Sequence, residues 1–224
     1  MTNNIIELFP RNENPFEVPW EVWAAKWWDW IFTIPMPYNP IDGCDRVIPA
    51  PGESKNDPAS AIKQEHPDSD KVVFLAGARH GVVNRTIDDM PANKGCFFPI
   101  ATCECSQAEF PDYSIEQLEK CAKDGNQVID MAVKINDKVF STPELKNYFV
   151  ETNLFDLQNI AKGNMFCADG PGKSSAYSVG YWLFIRPLKS GSIFDLSITQ
   201  GTKDDVFSKT FNCAYSVNYK ISVV

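Results

Sequence analysis

Apolar positions recur at one spacing through residues 18–35, VPWEVWAAKWWDWIFTIP. Trp20, Trp23, Ala24, Trp27, Trp28 and Ile31 stand at i, i+3, i+4, i+7, i+8 and i+11, a single face at 3.6 residues per turn. Pro19 suits a first helical turn, where its missing N–H breaks no bond, and Pro35 and Pro37 stop the pattern. The spacing predicts a helix over 18–34, with Glu21, Ala25, Lys26 and Asp29 mostly on its far side. Trp30 falls off the stripe, so it is expected to be partly exposed or covered by the next segment, and it is the helix residue read as a binding contact.

From Lys71 the pattern turns to strand. KVVFLAG (71–77) is a short, nearly continuous apolar run, VVNRTID (82–88) alternates, and GCFFPIATCECS (95–106) is apolar with Pro99 marking an edge or a bulge. SIEQLEKCAKDG (114–125) reads as a second helix. Ser114 caps it, Gln117 completes a capping box, Ile115, Leu118, Cys121 and Ala122 form its stripe, and Gly125 ends it. QVIDMAVKINDKVF (127–140) reads as a hairpin turning at Asn136-Asp137, and NYFVETNLFDLQ (147–158) as a strand. Residues 159–178 read as loop. SVGYWLFIRPL (178–188) and SIFDLSITQG (192–201) flank a Lys-Ser-Gly turn, and FNCAYSVNYKISVV (211–224) alternates to the end.

Successive strands with turn signals between them and few helices predict an antiparallel two-layer β-sandwich, jelly-roll-like, with the tryptophan helix packed on it. The chain is read as one domain. An extended arm (1–17) leads into the helix, a long Pro-rich loop (35–70) follows, and the sandwich fills 71–224.

Composition narrows the function more than it names one. A net charge of −8 and the lack of any basic run argue against a nucleic-acid partner. No apolar run approaches the roughly 20 residues that a membrane-spanning helix needs. The opening MTNNIIELFP has neither a basic n-region nor a long apolar h-region, and is not expected to act as a signal peptide. Secretion or surface association would need a separate export signal, and a cytoplasmic site follows if Met1 is the native start. Seven cysteines without a C-x-x-C pair predict buried thiols with one to three disulfides. Cys103 and Cys105 share a strand face, so each needs a partner elsewhere, and a zinc site built on them is the lesser alternative.

The chemistry-bearing candidates gather at predicted strand ends. His80, between Arg79 and Gly81, is the best general base, with the plain alternative of a rim histidine bonded to a carbonyl. Glu104 lies between two cysteines on a strand. If buried it needs a partner such as Arg79, Arg85 or Arg186, and it is otherwise a solvated carboxylate or a catalytic one. Asp169 completes a candidate catalytic set of His80, Glu104 and Asp169, while Trp30 and Arg79 are the candidate binding residues. Gly172-Lys173-Ser174 matches only the tail of a phosphate loop and reads as glycine-rich surface loop. No cofactor is expected. Asp42, Asp45, Asp57, Asp68 and Asp70 are the carboxylates that would serve Ca²⁺ if it binds.

The order WEVWAAKWWDWIFTIPMPYNP, VVFLAG, CFFPI, ECS, GYWLFIRPLKSG resembles a family of bacterial and archaeal proteins that share a W-A-A-x-W-W-x-W helix, an F-L-A-G strand, an F-F-P-I strand, an E-C-S step and a late G-Y-W-L hairpin. The resemblance spans most of the chain and implies a fold but no reaction. Many members look exported, which would suit disulfides. Ala78-Arg79-His80-Gly81 replaces small residues and glycines of the pattern, and Thr86 stands where a cysteine is common. Two functions follow as expectations. The first is a non-enzymatic binding, structural or assembly protein for a protein or glycan partner. The alternative is a hydrolase or metal-dependent enzyme with a rim site around His80 and Glu104.

Overall fold

The computed structural model describes residues 6–36, 39–41, 70–78, 81–168, 170–202 and 215–224. The expected two-layer β-sandwich is present, as two five-stranded sheets. The first sheet runs β1 (Val72–Phe74), β3 (Gly95–Ser106), β8 (Gly172–Ile185), with β6 (Phe149–Glu151) and β7 (Phe155–Ile160) following one another along the far edge of β8. The second runs β2 (Gly81–Met90), β10 (Tyr215–Val223), β9 (Ile193–Thr202), β4 (Val128–Ile135), β5 (Lys138–Ser141). Each sheet carries one parallel pair, β1 with β3 and β2 with β10, and is otherwise antiparallel. The two inner faces meet in a core that includes Val73, Phe98, Ile100 and Leu183 from one sheet and Met131, Val133, Ile198 and Ile221 from the other.

The tryptophan helix, α1 (Trp20–Phe32), lies on the outer face of the first sheet. Trp20, Trp23 and Trp27 interlock with Phe74, Phe97, Trp182 and Phe184 at ring-centroid distances of 5.4–6.4 Å. Trp27 donates its indole N–H to the Leu75 carbonyl at 3.0 Å. The first sheet is therefore covered on both faces, which is why β3 reads as a continuous apolar run where an alternating strand would be expected. Trp30 is corrected from contact residue to core. It is 3 % exposed, packed on Trp27 and Phe74, because α1 buries more of its circumference than the stripe alone. All five tryptophans of α1 are buried, so the helix offers no aromatic contact surface.

Two segments differ from the predicted elements. The strand expected over 147–158 breaks into β6 and β7. Thr152 Oγ1 accepts the Ser178 N–H and donates to the Ser178 carbonyl, standing in for a ladder step where the chain turns out at 153–154. Conversely, Gly172–Tyr177 is strand where a loop was expected. Pairing with β7 on one side and β3 on the other overrides its Gly/Ser composition, and it removes any resemblance to a phosphate loop.

The second helix, α2 (Ile115–Gly125), has the predicted Ser114/Gln117 capping box. It packs Leu118 and Ala122 on β3 and β8 and is bonded to β3 by a Cys105–Cys121 disulfide. Cys167 is disulfide-bonded as well, and Cys96 is a buried thiol. A single helical turn, α3 (Thr142–Leu145), follows β5.

Candidate functional site

β1 pairs only with Gly95–Phe97 of β3. Past that point the outer edge of β3 has no strand partner among the described residues. Pro99 opens a bulge opposite Trp182 and Tyr181, as its position in the run suggested. At Gly180 a Cβ would stand 2.5 Å from the Ala101 carbonyl oxygen, so only glycine lets β8 approach β3 there.

A cavity of about 540 Å³ lies along this edge. Trp27 and Trp28 of α1 form one wall, Met165 and Phe166 of the segment after β7 another, and Gln200 and Tyr215 of the second sheet a third. Cys103 and Cys105 pack on the α2 side. Strand alternation then turns Glu104 the other way, toward the tryptophans that line the same cavity. Trp28 holds that wall in place, donating its indole N–H to Ser178 Oγ at 2.7 Å, while Ser178 Oγ donates to the Cys103 carbonyl at 2.9 Å.

Glu104 is 8 % exposed, and neither Arg85 nor Arg186, the two described residues among its expected partners, pairs with it. Arg85 is occupied by the carbonyls of Ala76, Gly77 and Pro40 and by the Tyr219 hydroxyl. Arg186 pairs with Glu13. Glu104 instead has a second carboxyl, Glu109, as its neighbour, close enough that the charge of Glu109 raises it and favours a proton held between the two. Glu109 reaches it through the turn after β3, where its N–H bonds the Ser106 carbonyl and Ser106 Oγ donates to its carboxylate at 2.9 Å. Burial, then the charge of Glu109, pushes the Glu104 carboxyl well above the ordinary carboxylate range, and burial likewise raises Glu109. Glu104 Oε1 is buried and accepts no hydrogen bond from the described residues.

His80, Arg79 and Asp169 lie outside the described residues, as do all the calcium candidates except Asp70. Glu104 is the one predicted catalytic residue the structure places, and its partner Glu109 was missed. The signal was present in Ser106-Gln107-Ala108-Glu109, a Ser-x-x-Glu spacing of the kind that folds a carboxylate back onto a turn. The disulfide takes Cys105 out of any zinc site. A second, wider depression of about 940 Å³ includes the Asn84 and Asn218 amides, which bond each other, and has no tryptophan among its described lining residues.

The shared proton sets a pH dependence. A carboxyl whose folded pKa is raised binds more protons folded than unfolded, so stability falls as pH rises from the ordinary carboxylate range through the raised value. Each unit of elevation costs about 1.4 kcal/mol once the pH exceeds both values. Glu104→Gln is expected to melt higher than the parent at pH 8 by several degrees and level with it near pH 4, measured by calorimetry. A gap that widens toward acid would refute the assignment.

No protein-family model matches the chain, and no curated protein matches it. Among solved structures, it shows a likeness to a chain of the structure of PbICP-C in complex with falcipain-2, at 11 % identity and a TM-score of 0.27, covering 69 % of this chain and 99 % of that one. No described helix is long and apolar enough to cross a membrane.

Proposed function

We propose that the protein is a non-enzymatic binding protein that holds a small amphipathic ligand in the cavity along the open edge of β3. One observation carries the reading: a buried carboxyl oxygen, Glu104 Oε1, lacks a donor among the described residues in a cavity otherwise walled largely by aromatic and aliphatic side chains. Buried polar atoms are nearly always hydrogen-bonded, and an orphan in a concave site points to a missing partner. Ligand sites have this composition, mostly apolar with a few placed polar groups, in volumes of roughly 300–1,000 Å³. The buried tryptophans of α1 turn the search for a contact surface from the helix exterior to this interior wall.

The test is a ligand-observed NMR screen of small amphipathic fragments, with the indole N–H signals of the protein followed in parallel. Hits are expected to shift Trp27 and Trp28, which line the cavity, and to leave Trp20 and Trp23 in place. Thr102→Phe, which fills the cavity, should abolish those hits while the melting temperature stays close to the parent's. The reading fails if no fragment binds, or if hits leave the Trp27 and Trp28 signals unmoved.

A further inference from the structure

The geometry points to an organic ammonium cation as the ligand, its N–H groups donated to the Glu104–Glu109 carboxyl pair and its apolar body laid against Trp27, Trp28 and Phe166. This inference rests on the cavity being a ligand site and adds the chemical class.

Three features of the described lining select that class. Glu104 and Glu109 are its only charged groups, and it contains no lysine or arginine. An anionic ligand would add a second negative charge to the singly charged pair, with no cation among the described lining residues to balance it, which disfavours carboxylates and phosphates on Coulombic grounds. The orphan atom is an acceptor, Glu104 Oε1, so the ligand must bring a donor. An ammonium brings three in a compact charge, and charge-assisted bonds to a carboxylate are about twice as strong as neutral ones. Aromatic rings on two walls supply the rest. Trp27 and Trp28 stand edge to face at 5.1 Å, and Phe166 lies 5.8 Å from Trp28, centroid to centroid. Indole faces attract cations as well as hydrocarbon, by roughly 0.5–2 kcal/mol when water is excluded.

Proton linkage gives the site a signature. Without ligand the carboxyl pair holds one proton between two oxygens, and an arriving ammonium replaces that proton as the neutralising charge. Binding should therefore release a proton, and affinity should rise with pH while the amine stays charged. Among the described residues, the groups around the pair are Ser106 on β3, the Cys105–Cys121 disulfide toward α2, Trp27 and Trp28 from α1, Met165 and Phe166 from the segment after β7, and Gln200 and Tyr215 from the second sheet. Burial holds the Tyr215 hydroxyl protonated far above neutral pH, so among these the carboxyl pair, raised from the ordinary carboxylate range, is the group that titrates below it.

The experiment uses three probes of one shape: phenethylamine, phenethyl alcohol and phenylacetate, titrated calorimetrically into the full chain at low salt. At pH 8 the amine should bind at least about ten-fold more tightly than the alcohol, a difference of 1.4 kcal/mol, and phenylacetate should not bind. Affinity for the amine should fall on going to pH 5, with the proton release read from buffers of different ionisation enthalpy. Glu104→Gln should remove the preference, so that amine and alcohol bind that variant with the same affinity. Because that variant is expected to be more stable than the parent near neutral pH, unfolding does not mimic the result. If the alcohol binds as tightly as the amine, or if Glu104→Gln keeps the preference, the ammonium assignment is wrong and the cavity remains a site for neutral ligands. Binding of none of the probes also overturns the assignment, whereas the cavity reading itself falls only with the fragment screen.

Discussion

Trp27→Ala is expected to lower the unfolding free energy by about 3–5 kcal/mol. The indole is 1 % exposed and touches three other tryptophans, Trp28, Trp30 and Trp182, at centroid distances of 5.1–5.8 Å. Truncation removes that contact area, leaves a void between helix and sheet that rigid neighbours cannot close, and orphans the Leu75 carbonyl that the indole N–H now satisfies. Denaturant unfolding followed by far-ultraviolet circular dichroism measures the loss. Val22→Ala serves as the control, since Val22 is exposed on the same helix and should cost within about 0.5 kcal/mol. A Trp27→Ala loss below about 1 kcal/mol would mean that α1 is not the plate that covers the first sheet.

Breaking the bond between β3 and α2 ranks second. Cys105 and Cys121 are 16 residues apart in sequence, and a cross-link closing a loop of that length restricts the unfolded chain by about 3 kcal/mol. Cys105→Ala combined with Cys121→Ala should lose about that much, with amide exchange rising first across Ile115–Gly125. The helix has little else to hold it, since only Leu118 and Ala122 are fully buried along its length. Equal protection of α2 in the double variant and the parent would show that packing alone suffices there.

What could be read from the sequence was local. The 3.6-residue stripe located α1, the Ser114/Gln117 spacing located the start of α2, and the apolar run of β3 was bounded to the residue. What could not be read depends on residues far apart in the chain. β2 finds its parallel partner in β10, at the other end of the chain, and nothing in either strand encodes that choice. Residues Gly172–Tyr177 have loop composition and become strand through pairing with β7, joined by β3 at Ala176 and Tyr177. Trp30 lies off the stripe and is buried all the same, because Phe74 of the sheet packs against it. At the site, Glu104 was singled out for the right reason, a carboxyl on an apolar strand that would need a partner. The expected partner was an arginine because opposite charge is the usual answer to burial. Of the arginines expected, Arg85 is spent on backbone carbonyls, Arg186 pairs with Glu13 and Arg79 lies outside the described residues, while the neighbour five residues on is another acid.

The open stretch of β3 also bears on how this protein stays in solution. A strand margin that lacks a neighbouring strand among the described residues invites a second copy of the chain to add one, the first step toward fibrils. Here the charge of the Glu104–Glu109 pair lies beside that margin, and an incoming strand would take it further from water with no cation among the described lining residues to balance it. The same two carboxyls that lower the stability of the folded chain at neutral pH would thus act as a gatekeeper, and a hydrophobic replacement would gain folding stability at the cost of self-association.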